Sequence, residues 1–222
     1  MTAANFDPSY DFTVGQEGRL STDKSDPGNW TGGKVGSGEF VGTWYGLSAA
    51  VYGAGVVNFT IDQVKAAYRR DYWNACQCDQ LPAGVDLVAF DGAVNSGPGQ
   101  SEKWIQAAVG AAQDGVIGPM TLAAIAAKDP RDIINAACDA RLAFDEALAA
   151  AHPENYAKDL DGWKNRVAAL RSKALIMEFA ARSPQPAQQS ASVPAPQSQP
   201  ADAPKDLWGQ ILSAANTLNP WS

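Results

Sequence analysis

Apolar residues in this chain recur mostly at helical spacing. Phe6, Tyr10 and Val14 make one stripe, opened by Asp7 as a cap and Pro8 in the first turn; Glu17 holds the stripe's next position and Gly18 follows as a stop. Thr60 and Gln63 form a capping-box pair that starts a helix with Ile61, Val64, Tyr68 and Tyr72 on its buried side. Helices are predicted from about Gly84 to Val94, ending in Asn95-Ser96-Gly97-Pro98-Gly99, and from about Ser101 to Val109. After the turn Asp114-Gly115-Val116-Ile117-Gly118, Pro119 begins a short helix through Leu122 and Ile125. Asp129-Pro130 starts a long one reaching about Ala151. Trp163, Val167, Leu170, Ala174 and Met177 give a heptad-like stripe of the kind that packs inside a bundle. Between the first two helices, Ser21 to about Gly55 is Gly-rich, turns tightly at Asp26-Pro27-Gly28, and reads as loop or short strand.

The pattern changes at Ser183. From there to Pro204 the chain is rich in Pro, Gln, Ser and Ala, lacks aromatics, and reads as a disordered, partly extended linker. Leu207, Trp208, Ile211, Leu212, Ala215 and Leu218 then line one face of a short amphipathic helix within 205–222, too brief to cross a bilayer. Docking to a membrane surface, a phage particle or a secretion apparatus, and packing back on its own domain, are both open to it. The fold class is mainly α, with an irregular Gly-rich loop and short-strand region.

Composition narrows the function. With 45% apolar and 18% charged residues the chain is not disordered throughout. A formal charge of -7 argues against a nucleic-acid binder, which needs Lys and Arg in excess, and leaves a neutral polymer such as a glycan open. No transmembrane span is expected, and the opening MTAANFDPSYDF has no signal-peptide character. Cys76, Cys78 and Cys138 lack paired metal-ligand spacing and read as buried thiols; His152, the only histidine, reads as solvent-exposed. No metal or cofactor is expected, and a Ser-His-Asp site is disfavoured.

Glu17 is the candidate acid. A carboxyl at the C-terminal end of a helix feels the negative end of the dipole, and apolar surroundings raise its pKa further. Trp30, Phe40, Trp44 and Tyr45 crowd the loop that follows. Glycosidic-bond cleavage needs such a protonated carboxyl, with a second carboxylate or polar group to position water. Asp26 or Asp23 fills that second role, Thr31 or Thr43 is placed to hold the water, and the aromatics offer flat faces for sugar rings. Each residue also has a plain structural reading: a solvated helix-end acid, an Asx-turn aspartate, core aromatics.

EGRLSTDKSDPG, from Glu17 to Gly28, resembles the E-G-G-Y…D-P-G opening of glycoside hydrolase family 108, the N-acetylmuramidases. GTWYGLS, from Gly42 to Ser48, resembles that family's T-N-x-G-I-S/T element, and YRRDYW a family helix. FDGAVNSGPGQSEKWIQ and DGVIGPMTLAAI are similar to the predicted peptidoglycan-binding region that follows in those proteins. Arg19 and Leu20 depart from the family's Gly and Tyr, and Asn29 to Val41 is an insertion.

The resemblance implies a lysozyme-like fold in which residues 1–83 form the catalytic region and 84–182 the peptidoglycan-binding region, packed together as one unit. It further implies cleavage between N-acetylmuramic acid and N-acetylglucosamine, with Glu17 as general acid and Asp26 as second carboxylate. The motif selects Thr43 for the water, whereas Thr31 lies nearer to Asp26 in sequence. Trp44, Tyr45, Asn95 and Ser96 are the expected substrate contacts and peptidoglycan glycan strands the partner. The protein is expected to be made in the bacterial cytoplasm and to act on the wall, as a phage lysin released through a holin or a bacterial muramidase assisting export. A lytic transglycosylase and a non-catalytic wall-binding or virion structural protein are the alternatives.

Overall fold

The structure, a computed structural model, describes residues 3–15 and 20–183. Glu17, Gly18 and Arg19, the linker beyond Ser183 and the expected terminal helix lie outside the described residues. Helix α1 (Phe6–Thr13) leads to a three-stranded antiparallel sheet of two-residue strands, β1 (Leu20–Ser21), β2 (Thr43–Trp44) and β3 (Leu47–Ser48). There follow α2 (Ala49–Tyr52), α3 (Ile61–Tyr68), α4 (Val85–Ser96), α5 (Pro98–Val109), α6 (Pro119–Ala126), α7 (Pro130–Ala151), α8 (Pro153–Tyr156) and α9 (Leu160–Arg182). The chain is mainly helical with a small strand region, as the hydrophobic pattern predicts.

The centre is α4. Every residue from Val85 to Ala93 is buried, and the helix packs against α1, α5, α7 and α9. A helix with no polar face has nowhere to go but the interior. Phe90 meets Phe6 and Trp73 at ring-centroid distances of 5.9 and 5.6 Å, and Tyr10 meets Tyr68 at 5.5 Å, so the stripe of α1 closes onto α4 through aromatic edges. Fully burying one such side chain contributes about 1.5–3 kcal/mol. Gly92 lets α5 approach: a Cβ there would stand 2.4 Å from Ser101 Oγ, which itself donates to Ala89 O at 2.7 Å.

Start signals behave as their chemistry predicts in several places. The Thr60–Gln63 capping box is present at α3, and Asp129 accepts from Arg131 N at α7. Gln106 clamps the loop before α6, donating to Asp114 Oδ1 at 2.6 Å and accepting from Gly115 N at 2.9 Å. Asp86 accepts from Gly84 N, Leu87 N and Asn5 Nδ2, each at 2.8 Å, and so ties the start of α4 to the residue before α1.

Five readings need correction. Asp7 is not a cap: it lies inside the first turn of α1 and pairs with Lys65 at 2.6 Å, while Asn5 precedes the helix. The α1 helix closes at Thr13, short of Glu17. Pro98 does not end a helical stretch but opens α5, because proline is as well suited to a first turn as to a break. Ile61 is exposed rather than buried. A single helical turn, α2, interrupts the Gly-rich stretch read as free of helix.

The three cysteines are free and buried, and burial pushes their thiols up, Cys138 to about 11. Among the described residues, no group of three His, Cys, Asp or Glu side chains is placed to hold a metal ion. His152 is exposed, 3.8 Å from Glu154. No described helix is long and apolar enough to cross a membrane.

Candidate active site

The Gly-rich region becomes a small scaffold through pairing and a handful of side-chain hydrogen bonds. In the sheet register, Ser21 faces Thr43, which faces Ser48, while Leu20, Trp44 and Leu47 form the parallel row. Directly paired residues project to the same side of a sheet, so a line of three hydroxyl side chains crosses it.

The turn that carries the aspartates docks on this sheet through Asn29, a fully buried polar residue. Asp26 Oδ1 accepts from Gly28 N at 2.8 Å, capping the short turn Pro27–Asn29. Asn29 Nδ2 donates to Asp23 O at 2.8 Å, and its Oδ1 accepts from Thr43 Oγ1 at 2.6 Å. One amide therefore joins the aspartate turn to β2.

The alternatives separate on hydrogen bonding. Thr31 Oγ1 accepts from Glu39 N at 2.9 Å, which commits it to closing the inserted loop, where Trp30 and Phe40 pair across a β-bridge. Thr43 donates its proton to Asn29, which leaves the hydroxyl's lone pairs to accept from a water. Asp23 Oδ1 takes both Ser25 Oγ at 2.7 Å and Ser25 N at 2.8 Å, and these bonds hold its carboxyl below the usual range. Asp26 and Asp23 are both exposed.

Trp44 and Tyr45 stand at the end of the same hairpin. Tyr45 and Gly46 take φ values of 47° and 78°, the positive-φ pair of a type I′ turn, whose twist matches that of the strands. Glycine accepts this freely, whereas an aromatic residue is strained there. Tyr68 holds the turn by donating to Tyr45 O at 2.9 Å, and the Trp44 ring meets Tyr45 edge-on at 4.9 Å. Trp44 Nε1 donates to Phe59 O at 3.0 Å.

Glu17 lies outside the described residues, but the helix leading towards it is anchored in a way the sequence does not advertise. Asp91, fully buried in α4, accepts from Arg141 Nη1 at 2.6 Å, Arg166 Nη2 at 2.7 Å and Thr13 Oγ1 at 3.2 Å. Arg166 Nη2 also donates to Thr13 O at 3.2 Å, satisfying a carbonyl that the end of α1 leaves open. A cation at a helix C-terminus is favourable, so this arrangement caps α1 electrostatically. The early closure of α1 weakens the dipole argument for Glu17, since the dipole fades within the last turn.

Asp91, Arg141 and Arg166 were not singled out as site residues from sequence. The available signal was an aspartate in the middle of an otherwise apolar helix, since a buried charge demands partners. Asn95 and Ser96 are likewise not joined to the hairpin by hydrogen bonds: they lie at the end of α4 and line a cavity with Arg141, Asp145 and Trp163. Asn95 Nδ2 donates to Asp91 O at 2.7 Å.

The family description Glycosyl hydrolase 108 matches residues 10–97, and Predicted Peptidoglycan domain matches residues 100–168. A solved structure, that of Brucella abortus SagA, is 34% identical with a TM-score of 0.65, the match covering 79% of this chain and 96% of that one. No curated protein matches the chain. The hairpin with its aspartate turn falls in the first matched segment, and most of α5, all of α6 to α8 and the start of α9 in the second; the chain belongs to the glycosyl hydrolase 108 family, as a lysozyme-like glycoside hydrolase of peptidoglycan with a peptidoglycan-binding region.

Proposed function

We propose that this chain is an N-acetylmuramidase: it hydrolyses the bond between N-acetylmuramic acid and N-acetylglucosamine, with Glu17 protonating the leaving oxygen. Asp26 is the second carboxylate and Thr43 steadies the attacking water, while Trp44 and Tyr45 flank the sugar. The observation that carries this reading is the Asn29 bridge, which fixes the Asp26 turn against Thr43 through bonds of 2.8 and 2.6 Å. Pre-set positioning of this kind lowers the barrier to a reaction between a bound water and a sugar. The family match supplies the substrate class. Residues 1–83 carry the chemistry and 84–182 support it, and the enzyme works where peptidoglycan is, in the periplasm or wall.

Muropeptide mass spectrometry of digested sacculi is the test. The wild type is expected to release reducing muramic ends, and Glu17→Gln to lose activity by about 10²–10⁴-fold, the usual contribution of a general acid. Anhydro ends would mean a lytic transglycosylase. Full activity in Glu17→Gln would remove the acid assignment.

A further inference from the structure

The last residue of α1 is gripped twice. Val14 N and Gly15 N both donate to Tyr10 O, at 2.8 and 3.3 Å, so the helical ladder closes there and Thr13 O is left beyond it. The Arg166 guanidinium on α9 takes up that carbonyl, with Nη2 donating at 3.2 Å. The same Nη2 donates to Asp91 Oδ1 at 2.7 Å, and Nε reaches Asp91 Oδ2 at 3.3 Å. Asp91 Oδ1 in turn accepts from Thr13 Oγ1 at 3.2 Å. Thr13 is thus held by its main chain and its side chain at once, in a ring of hydrogen bonds closed through Arg166 and Asp91.

Neutralisation alone does not account for the second arginine. Arg141, only 5% exposed, already gives Asp91 Oδ2 a bond of 2.6 Å and a full counter-charge. Arg166, its side chain 28% exposed, is a further cation on a carboxylate that needs one. Buried ion pairs are a poor source of net stability, because desolvation offsets their attraction. What a bidentate guanidinium does supply is geometry: its planar fork fits a carboxylate edge in one orientation and keeps a directed N–H for a neighbouring carbonyl.

The geometry fixed here is the starting point of the segment that carries Glu17, four positions after Thr13. Four residues span at most about 14 Å of chain, so the acid is placed from this anchor. A misplacement of about 1 Å at a reacting group costs about 10²-fold in rate. Arg166 also crosses a boundary: it lies in the segment matched as Predicted Peptidoglycan domain, residues 100–168, whereas Thr13 lies in the glycosyl hydrolase segment, residues 10–97. We infer that Arg166 is a positioning residue for the acid, fixing the end of α1 through Thr13 and Asp91. The second matched segment then completes the active site rather than only holding substrate. This role rests on the reading of Glu17 as the acid.

The test measures kcat and KM of the full chain on solubilised glycan strands, following strand shortening by chromatography so that hydrolysis and transglycosylation count alike. Arg166→Met is expected to lower kcat by about 10²-fold with KM within about twofold of wild type, the pattern of a group that acts on the reacting geometry alone. Arg166→Lys keeps the charge without the fork and is expected to recover part of the rate, leaving kcat about tenfold down. Arg171→Met removes another α9 guanidinium, bonded to Asp139 at 2.5 Å and Asn135 at 3.4 Å, and is expected to leave kcat unchanged. Wild-type kcat in a folded Arg166→Met, or in Arg166→Lys where the methionine variant does not fold, overturns the positioning role. So does an equal loss of kcat in Arg171→Met, which would make the effect one of general stability. Glu17→Gln, assayed alongside, keeps the two claims apart. Full activity there removes the acid assignment and this role with it, whereas a failure at Arg166 alone leaves the muramidase reading standing.

Discussion

The helical body around α4 and the hairpin region between Leu20 and Phe59 are built on opposite terms. The body is held by continuous burial: Leu87, Ala89, Phe90, Ile105, Ile133 and Leu170 are all fully enclosed. The hairpin region has strands of two residues and a sparse core, and depends on individual hydrogen bonds centred on Asn29. Removing one contact from the body should therefore cost stability broadly, whereas removing one from the hairpin should cost geometry locally. The chemistry is proposed to lie on the second kind of structure, which leaves carboxylates in solvent where a substrate can reach them.

The sharpest way to break this contrast is Asp91→Ala. It leaves Arg141 buried without its main counter-ion, and losses of about 3–5 kcal/mol follow from orphaning a buried pair. Urea unfolding should show the whole chain destabilised, not just the end of α1. Gly92→Ala is expected to cost about 1–3 kcal/mol by forcing α4 away from Ser101, read in the same assay.

Asn29→Ala should behave otherwise. We expect a stability loss of about 1–2 kcal/mol, the size of one or two unmade hydrogen bonds, and a fall in wall clearance of about tenfold or more. A variant that loses stability and keeps its rate would show that the bridge merely holds the loop.

Glu102 gives the smallest effect and a different axis. It is 5% exposed, and burial pushes its carboxyl up to about 7. A carboxyl raised in the folded state binds its proton more tightly there than in the unfolded chain. Its contribution is complete below the ordinary glutamate value and is lost as pH rises through about 7. Glu102→Gln should therefore flatten the decline in melting temperature between pH 5 and pH 8, an effect on the order of 1–2 kcal/mol. An unchanged slope would assign that decline to other groups, such as Asp86, raised to about 6 by its burial.

The same contrast decides what the sequence could reveal. The stripes of α1 and α9, the Asp129-Pro130 start of α7 and the capping box of α3 were legible because periodicity and caps are local. Asp26 and Thr43 could be picked out by motif, but not the amide between them: Asn29 is an ordinary turn residue until the fold places it 2.6 Å from a hydroxyl 14 positions away. The Asp91 cluster hides for the same reason. Arg166 meets Asp91 across 75 positions, and no stripe predicts such a meeting. Pro98 misled because proline's missing N–H suits either a stop or a start.

Tyr45 leaves one consequence to draw. Its backbone occupies a conformation that asparagine or glycine would adopt with less strain, so the present side chain is a thermodynamic handicap of about 1 kcal/mol. Exchanging it for asparagine relaxes the hairpin and strips Trp44 of its edge-on neighbour. A protein made hardier yet slower by that exchange would identify the phenol as a working surface, kept in place at the expense of the chain's own comfort.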